Sequence, residues 1–209
     1  MRSVSLIPLM HNSRIGRGIR LSCGFLCLLT AVLLWSPAYA DTEEDVPSAD
    51  GSPNNWSGAY STVDETVSGA DDNDSITTSS TSSVEIYTFS HTVPSDATVD
   101  SVQVNFRCKR ASAGSKTVAA QIERSNTSAT GGFETQTASY ANYSKSWSLC
   151  PVSSCSNSTD GAWTVTDLDN LEIGVKSSSS GSGSLNCSQV SVTISYTPAT
   201  SSRRIWIVD

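Results

Sequence analysis

The sequence is poor in histidine, in basic residues and in long apolar stretches, and each shortage excludes a class of function. Only 2 histidines occur in 209 residues. A serine or cysteine nucleophile therefore has almost no choice of imidazole base, and no Gly-x-Ser-x-Gly elbow is present to present one. Lys and Arg number 13 against 20 Asp and Glu, a formal charge of −7. That sign argues against nucleic acid and anionic membrane surfaces, whose affinity comes from cations neutralising phosphate. No Cys-x-x-Cys pair occurs, which weakens a zinc reading. No stretch of useful length carries the 3.6-residue period of an amphipathic helix.

The longest apolar run, Leu21 to Trp35, covers roughly fifteen residues, short of the roughly twenty a spanning helix needs. Arg2, Arg14, Arg17 and Arg20 precede it and Ala38-Tyr39-Ala40 follows it. Basic flank, short apolar centre and small residues at the end are the parts of a cleavable secretory signal, so cleavage is expected after Ala40. Cys23 and Cys27 lie inside the apolar run without the leucine and small residues of a lipoprotein site. The expected mature chain, residues 41–209, has no membrane-spanning segment; it keeps only His91 and, without the four leading arginines, carries a net charge of −11. An exported location follows, secreted or at the cell surface, and the periplasm fits the same signal.

Four cysteines remain: Cys108, Cys150, Cys155 and Cys187. Four cysteines allow three pairings, and in an oxidising compartment two disulfides are the expectation. Cys150 and Cys155 are close enough to staple one loop, which leaves Cys108 for Cys187.

Residues 41–55 (DTEEDVPSADGSPNN) are acidic and turn-rich and read as a flexible leader. From residue 56 to about 198 the dominant period is two, the mark of strands with one buried face. Val102, Val104, Phe106 and Cys108 alternate with Ser101, Gln103, Asn105 and Arg107. The same rhythm runs through Val84 and Ile86; Val118, Ala120 and Ile122; Tyr143, Lys145, Trp147 and Leu149; Leu171, Ile173 and Val175; and Val190, Val192, Ile194 and Tyr196. Trp163 leads into a further strand at Val165. Turn residues separate these runs, as at Gly131-Gly132, Asp160-Gly161 and the serine-glycine stretch 177–184. Many short strands joined this way predict an all-β fold, two packed antiparallel sheets of about eight or nine strands. Cys187 lies out of phase with Val190 to Tyr196, so turning it inward toward Cys108 requires a bulge near Ser188 or Gln189.

Candidate chemistry is sparse. His91 reads as a surface residue at a strand end. Glu85, Glu123 and Glu172 stand in the outward phase of their strands, where a solvated carboxylate is ordinary. Glu134 lies near a strand as well. Asp71, Asp72, Asn73 and Asp74 gather hard oxygen ligands on one loop and raise the prospect of a structural calcium, although Ile76 stands where a helical calcium loop has glycine. Asp167 and Asp169 form a second acidic place. Exposed aromatics would reveal a sugar platform, because pyranose faces stack on them. The candidates are Trp56, Tyr60, Tyr140, Tyr143, Trp147 and Trp163. Most are expected in the core, with burial favoured for Trp147 and Trp163 and exposure for Tyr140, and Tyr140, Tyr143 and Trp163 are retained as the ligand-binding set. After Pro198 the tail, residues 199–209, ends in a hydrophobic strand-like segment, and Ile205, Trp206, Ile207 and Val208 are candidates to dock on a partner sheet edge.

From Trp56-Ser57-Gly58-Ala59-Tyr60, through the Val99 to Arg107 strand, to Leu171-Glu172-Ile173-Gly174-Val175 and Val190 to Tyr196 with Thr197-Pro198, the chain resembles jelly-roll modules of bacterial surface proteins and phage appendages. These in turn look like carbohydrate-binding sandwiches. The resemblance implies a structural or adhesive jelly roll and carries over no catalytic residue. The sequence thus predicts a non-enzymatic surface module without a cofactor, structural or adhesive and self-assembling through its tail, whose partners are other extracellular proteins or itself. Glycan binding through exposed aromatics is the alternative.

Overall fold

The computed structural model describes residues 39–199. All but the last two residues of the expected signal, together with the docking candidates Ile205, Trp206, Ile207 and Val208, lie outside the described residues.

The described residues form eleven strands: β1 (Asp41–Asp45), β2 (Ala49–Asn54), β3 (Ile76–Thr78), β4 (Val84–Thr88), β5 (Thr98–Arg110), β6 (Thr117–Arg124), β7 (Thr127–Thr130), β8 (Glu134–Thr135), β9 (Ala141–Trp147), β10 (Leu171–Ser177) and β11 (Leu185–Thr197). One helical turn, α1 (Val165–Leu168), precedes β10. The strands form two antiparallel sheets, β1-β11-β5-β9 with β3 also on β11, and β2-β4-β10-β6-β7 with β8 also on β6. The chain alternates between them, with β3, β5, β9 and β11 in the first sheet and β4, β6, β7 and β10 in the second. This is the jelly-roll order.

Period two fixes which side chains meet between the sheets. Val102, Val104 and Phe106 of β5 and Val190, Val192 and Ile194 of β11 are buried against Tyr87, Ile122, Ile173 and Val175 of the second sheet. Burying each such side chain stabilises the fold by roughly 1.5–3 kcal/mol relative to exposure. Disulfides join Cys108 to Cys187 and Cys150 to Cys155. The ladder between β5 and β11 shifts between Cys187 and Gln189, a bulge at Ser188. Cys187 thereby faces the core while Ser188 and Gln189 both turn to the outer side of the sheet.

Several expectations are corrected. Residues 41–55 are not a loose leader, because β1 pairs with β11 and β2 with β4. Their acidic side chains are held by hydrogen bonds instead of apolar burial: Glu43 accepts from the Thr92 N–H at 2.6 Å and Glu44 from the Val67 N–H at 2.8 Å. These two strands, with the short β8, bring the count above nine. No strand starts at Val165. Thr164 and Asp167 form a reciprocal capping box that turns this segment into α1. In β4 the phase is opposite to that expected. Tyr87 and Glu85 face the core opposite Ile173 and Val175, and Ile86 is buried on the outer face beneath β2. Leu149 is 46% exposed despite its phase with Trp147. The side chain of His91, only 10% exposed, is tucked against Asp169 at 3.3 Å.

Candidate functional site

The outer face of the first sheet is polar, yet much of it is buried. Cross-strand register sets Ser144, Asn105 and Ser191 in one row over β9, β5 and β11, and Asn142, Arg107 and Gln189 in the next. Asn105, Ser188, Gln189 and Ser191 are all less than about a tenth exposed. What covers them is the segment between the short 3-10 turn at Tyr60–Thr62 and β3, which crosses this face as a strap. Val63 accepts a backbone hydrogen bond from the Val190 N–H at 3.0 Å. The Glu44 carboxylate ties the strap's Val67 N–H to the Ser191 hydroxyl. Asp72 accepts two hydrogen bonds from Arg107, at 2.8 and 2.7 Å, and one from the Ser188 hydroxyl at 2.9 Å.

Strap and sheet enclose a cleft of about 190 Å³ lined by Val67, Asn105, Asn142, Tyr143, Ser144 and Gln189. Two of its amides are fixed by their neighbours. Asn105 accepts from Gln103 Nε2 at 2.7 Å and donates to Thr193 Oγ1 at 2.9 Å. Asn142 Oδ1 accepts from Arg107 Nη1 at 3.0 Å. Gln189 Nε2 is buried and has no hydrogen-bond partner in the protein. Tyr143 contributes to the lining at its place in β9 between Asn142 and Ser144, but its ring turns to the core side, stacked on Phe106, with its hydroxyl donating to Thr135 O at 3.3 Å. At one end Lys109 Nζ lies 4.2 Å and Arg107 Cζ 5.8 Å from the Tyr140 ring centroid.

Of the three aromatics singled out as a sugar platform, Tyr140 flanks the cleft, whereas the Tyr143 ring packs on Phe106 on the core side of β9. Trp163 is 3% exposed in the core, with its indole N–H donated to Trp147 O at 3.0 Å. It offers no open face. In the Asp71 to Asp74 loop two of the carboxylates are engaged within the protein. Asp72 is taken by Arg107 and Ser188, and Asp71 Oδ1 accepts from the Asn73 N–H and side-chain amide. Among the described residues, no group of three or more His, Cys, Asp or Glu is placed to hold a metal. The floor residues Asn105, Asn142, Ser144 and Gln189 escape a search for aromatics and carboxylates. Their only signal is their shared outward phase.

Burial perturbs several carboxyls away from the cleft. Glu85 is fully buried, accepts from the Trp56 N–H at 2.7 Å, and leaves Oε1 without a partner. Burial pushes its pKa up to about 7. Asp45 is pushed up to about 7 by burial and by neighbouring Glu43. The hydroxyl of Tyr87, buried and unpartnered, is raised well above its ordinary value by burial and by Glu85. Burial also pushes Asp167 up, but hydrogen bonds from Thr164 and Ser156 outweigh it and hold this carboxyl below its usual range.

No family model matches the sequence, and no curated protein matches it significantly. Solved structures do. The CBM22-1 xylan-binding domain of Paenibacillus barcinonensis Xyn10C is 12% identical with a TM-score of 0.40, over 76% of this chain and 97% of that one. The apo form of BiXyn10A CBM1 is 11% identical with a TM-score of 0.32, over 78% and 98%. At these scores the likeness carries no argument about what this chain binds.

Proposed function

We propose that this protein is a non-catalytic glycan-binding domain that works outside the cytoplasm and takes a saccharide unit into the cleft between the strap and the first sheet. The observation that carries the reading is Gln189, a buried amide whose Nε2 has no protein partner in a cleft whose other polar side chains are those of Asn105, Asn142 and Ser144. A buried unpaired donor costs about 1–3 kcal/mol, which a ligand oxygen can recover. Asn105 and Asn142, amides held in place by neighbouring side chains, supply the directional hydrogen bonding that recognition of a sugar ring requires, and Tyr140 at the Lys109 end is the aromatic beside them. The cleft, at about 190 Å³, falls below the roughly 300–1,000 Å³ of pockets for whole drug-sized ligands. It suits one ring of a chain. Two disulfides support function in an oxidising compartment. Nothing among the described residues speaks for self-assembly or adhesion.

Affinity electrophoresis of the folded protein through gels containing individual polysaccharides tests the reading. At least one polysaccharide should retard it, and Asn142→Ala and Ser144→Ala, both at exposed positions of β9, should each weaken retardation several-fold with circular dichroism unchanged. Gln189→Leu, near-isosteric and apolar, should abolish it. Free migration of the folded wild-type protein in every gel removes the proposal.

A further inference from the structure

We infer that the saccharide bound in this cleft is anionic, a uronate whose carboxylate lies at the Lys109 end; this rests on the cleft being the glycan site. The reason is the kind of hydrogen-bonding capacity the protein leaves unused there. Asn105 spends its oxygen on Gln103 and an N–H on Thr193. Asn142 spends its oxygen on Arg107, so that its Nδ2 is the group left over. Gln189 Nε2 has no partner. The free amide capacity of Asn142 and the buried, unpaired Nε2 of Gln189 are therefore donors, while Gln189 Oε1 can accept and Ser144 serves in either role.

Charge points the same way. Lys109 Nζ sits over the Tyr140 ring, two residues before Asn142, and no described carboxylate forms an ion pair with it. Asp72 and Glu44, which hydrogen-bond to residues around the cleft, are already committed, while Glu65 and Asp74 of the strap each keep a buried carboxylate oxygen without a partner. Both Asp72 oxygens accept from Arg107, and Glu44 Oε1 accepts from the Val67 N–H and the Ser191 hydroxyl. Glu44 belongs to β1, on the far side of β11 from Lys109. A neutral sugar hydroxyl brings a proton as well as lone pairs, and that proton would find few acceptors here. A carboxylate brings acceptors only, and its hydrogen bonds to ammonium and amide donors are charge-assisted. The remaining polar floor, Ser144 and the row of Gln103, Ser146 and Thr193, continues along the sheet to take neighbouring units.

The test is titration calorimetry of the full exported protein with polygalacturonate and alginate, with the carboxyl-reduced form of each, with neutral xylan and with dextran sulfate. A uronate should bind at least tenfold more tightly than its reduced form, and the preference should shrink in 0.5 M sodium chloride as charge is screened. Lys109→Gln should remove most of that preference while leaving binding of the reduced form in place. Equal affinity for acid and reduced forms, binding confined to xylan or to dextran sulfate, or a Lys109→Gln variant that keeps the full preference would each overturn the uronate assignment and leave the glycan site standing. No binding to any of these polymers overturns the uronate assignment, and uronate binding that is indifferent to Asn142→Ala overturns both.

Discussion

Arg107 reaches off the outer face of β5 and grips Asp72 of the strap through two hydrogen bonds, Nε to Oδ1 at 2.8 Å and Nη2 to Oδ2 at 2.7 Å. A third, from Nη1 to Asn142, sets the amide at the cleft floor. One guanidinium thus fixes both the wall of the cleft and the orientation of a binding group. The pair is partly exposed, so its loss should cost the whole fold less than about 1 kcal/mol. The local effect should be larger. Asp72→Asn is expected to speed amide exchange at Val67 and Gly69 and to weaken glycan retardation at least several-fold, with the melting temperature nearly unchanged. Unaltered exchange in the strap would mean that its other ties suffice. The hydrogen bond from Arg107 holds the Asp72 carboxyl below its ordinary range. This depressed group favours the closed strap above the usual carboxylate range, and the contribution is lost as the pH falls through the lowered value.

The disulfide between Cys108 and Cys187 spans 79 residues and that between Cys150 and Cys155 only 5. Loop-closure entropy assigns about 4.5 kcal/mol to the first and about 2 kcal/mol to the second. Replacing Cys108 and Cys187 by alanine should lower the melting temperature by roughly 10–15 °C, and replacing Cys150 and Cys155 by roughly half as much. Differential scanning calorimetry in non-reducing buffer checks the order. A larger loss at the short loop would contradict the entropic account.

The jelly roll was legible because its central strands, β5, β6, β10 and β11, alternate cleanly, and the bulge at Ser188 because Cys187 breaks that alternation. β1 and β2 were not. They are edge strands anchored by carboxylate hydrogen bonds to Thr92 and Val67, and a pattern of apolar side chains cannot register that kind of anchor. The phase of β4 was misread because Ile86 is buried on the outer face under β2, so both faces of that strand are buried and alternation loses its meaning. At the cleft, the outward phase of Asn105 and Arg107 could be read directly. That a strap some forty residues away in sequence covers them, tied down by Asp72, is a long-range fact with no local trace.

Glu123 and Glu172 stand directly opposite each other on β6 and β10. Burial pushes both carboxyls up, and Glu123 adds to the rise at Glu172. Like charges in such a pair destabilise a sheet by roughly 0.2–1 kcal/mol. Glu123→Gln should therefore stabilise the protein by up to about 1 kcal/mol at pH 8 and have almost no effect at pH 4, where both groups are protonated. Urea denaturation at the two pH values measures the difference. A gain of equal size at both would assign the effect to something other than charge.

Stability as a whole should decline between mildly acidic and neutral pH, and Glu85 is the main reason. Its pKa rises from 4.5 unfolded to about 7 in the buried site, so between those values the folded state holds a proton that the unfolded state has released. Stability conferred by the protonated form is complete below pH 4.5 and is lost as the pH climbs through about 7. At about 1.4 kcal/mol per pH unit the loss reaches on the order of 3 kcal/mol, and Asp45, also raised to about 7, adds in the same window. Glu85→Gln removes the titration and keeps an oxygen to accept from the Trp56 N–H. The variant should melt several degrees above wild type at pH 8, match it near pH 4.5, and show a flatter profile between. A wild-type melting temperature that rises from pH 4.5 to 7.5 would refute the buried protonated carboxyl.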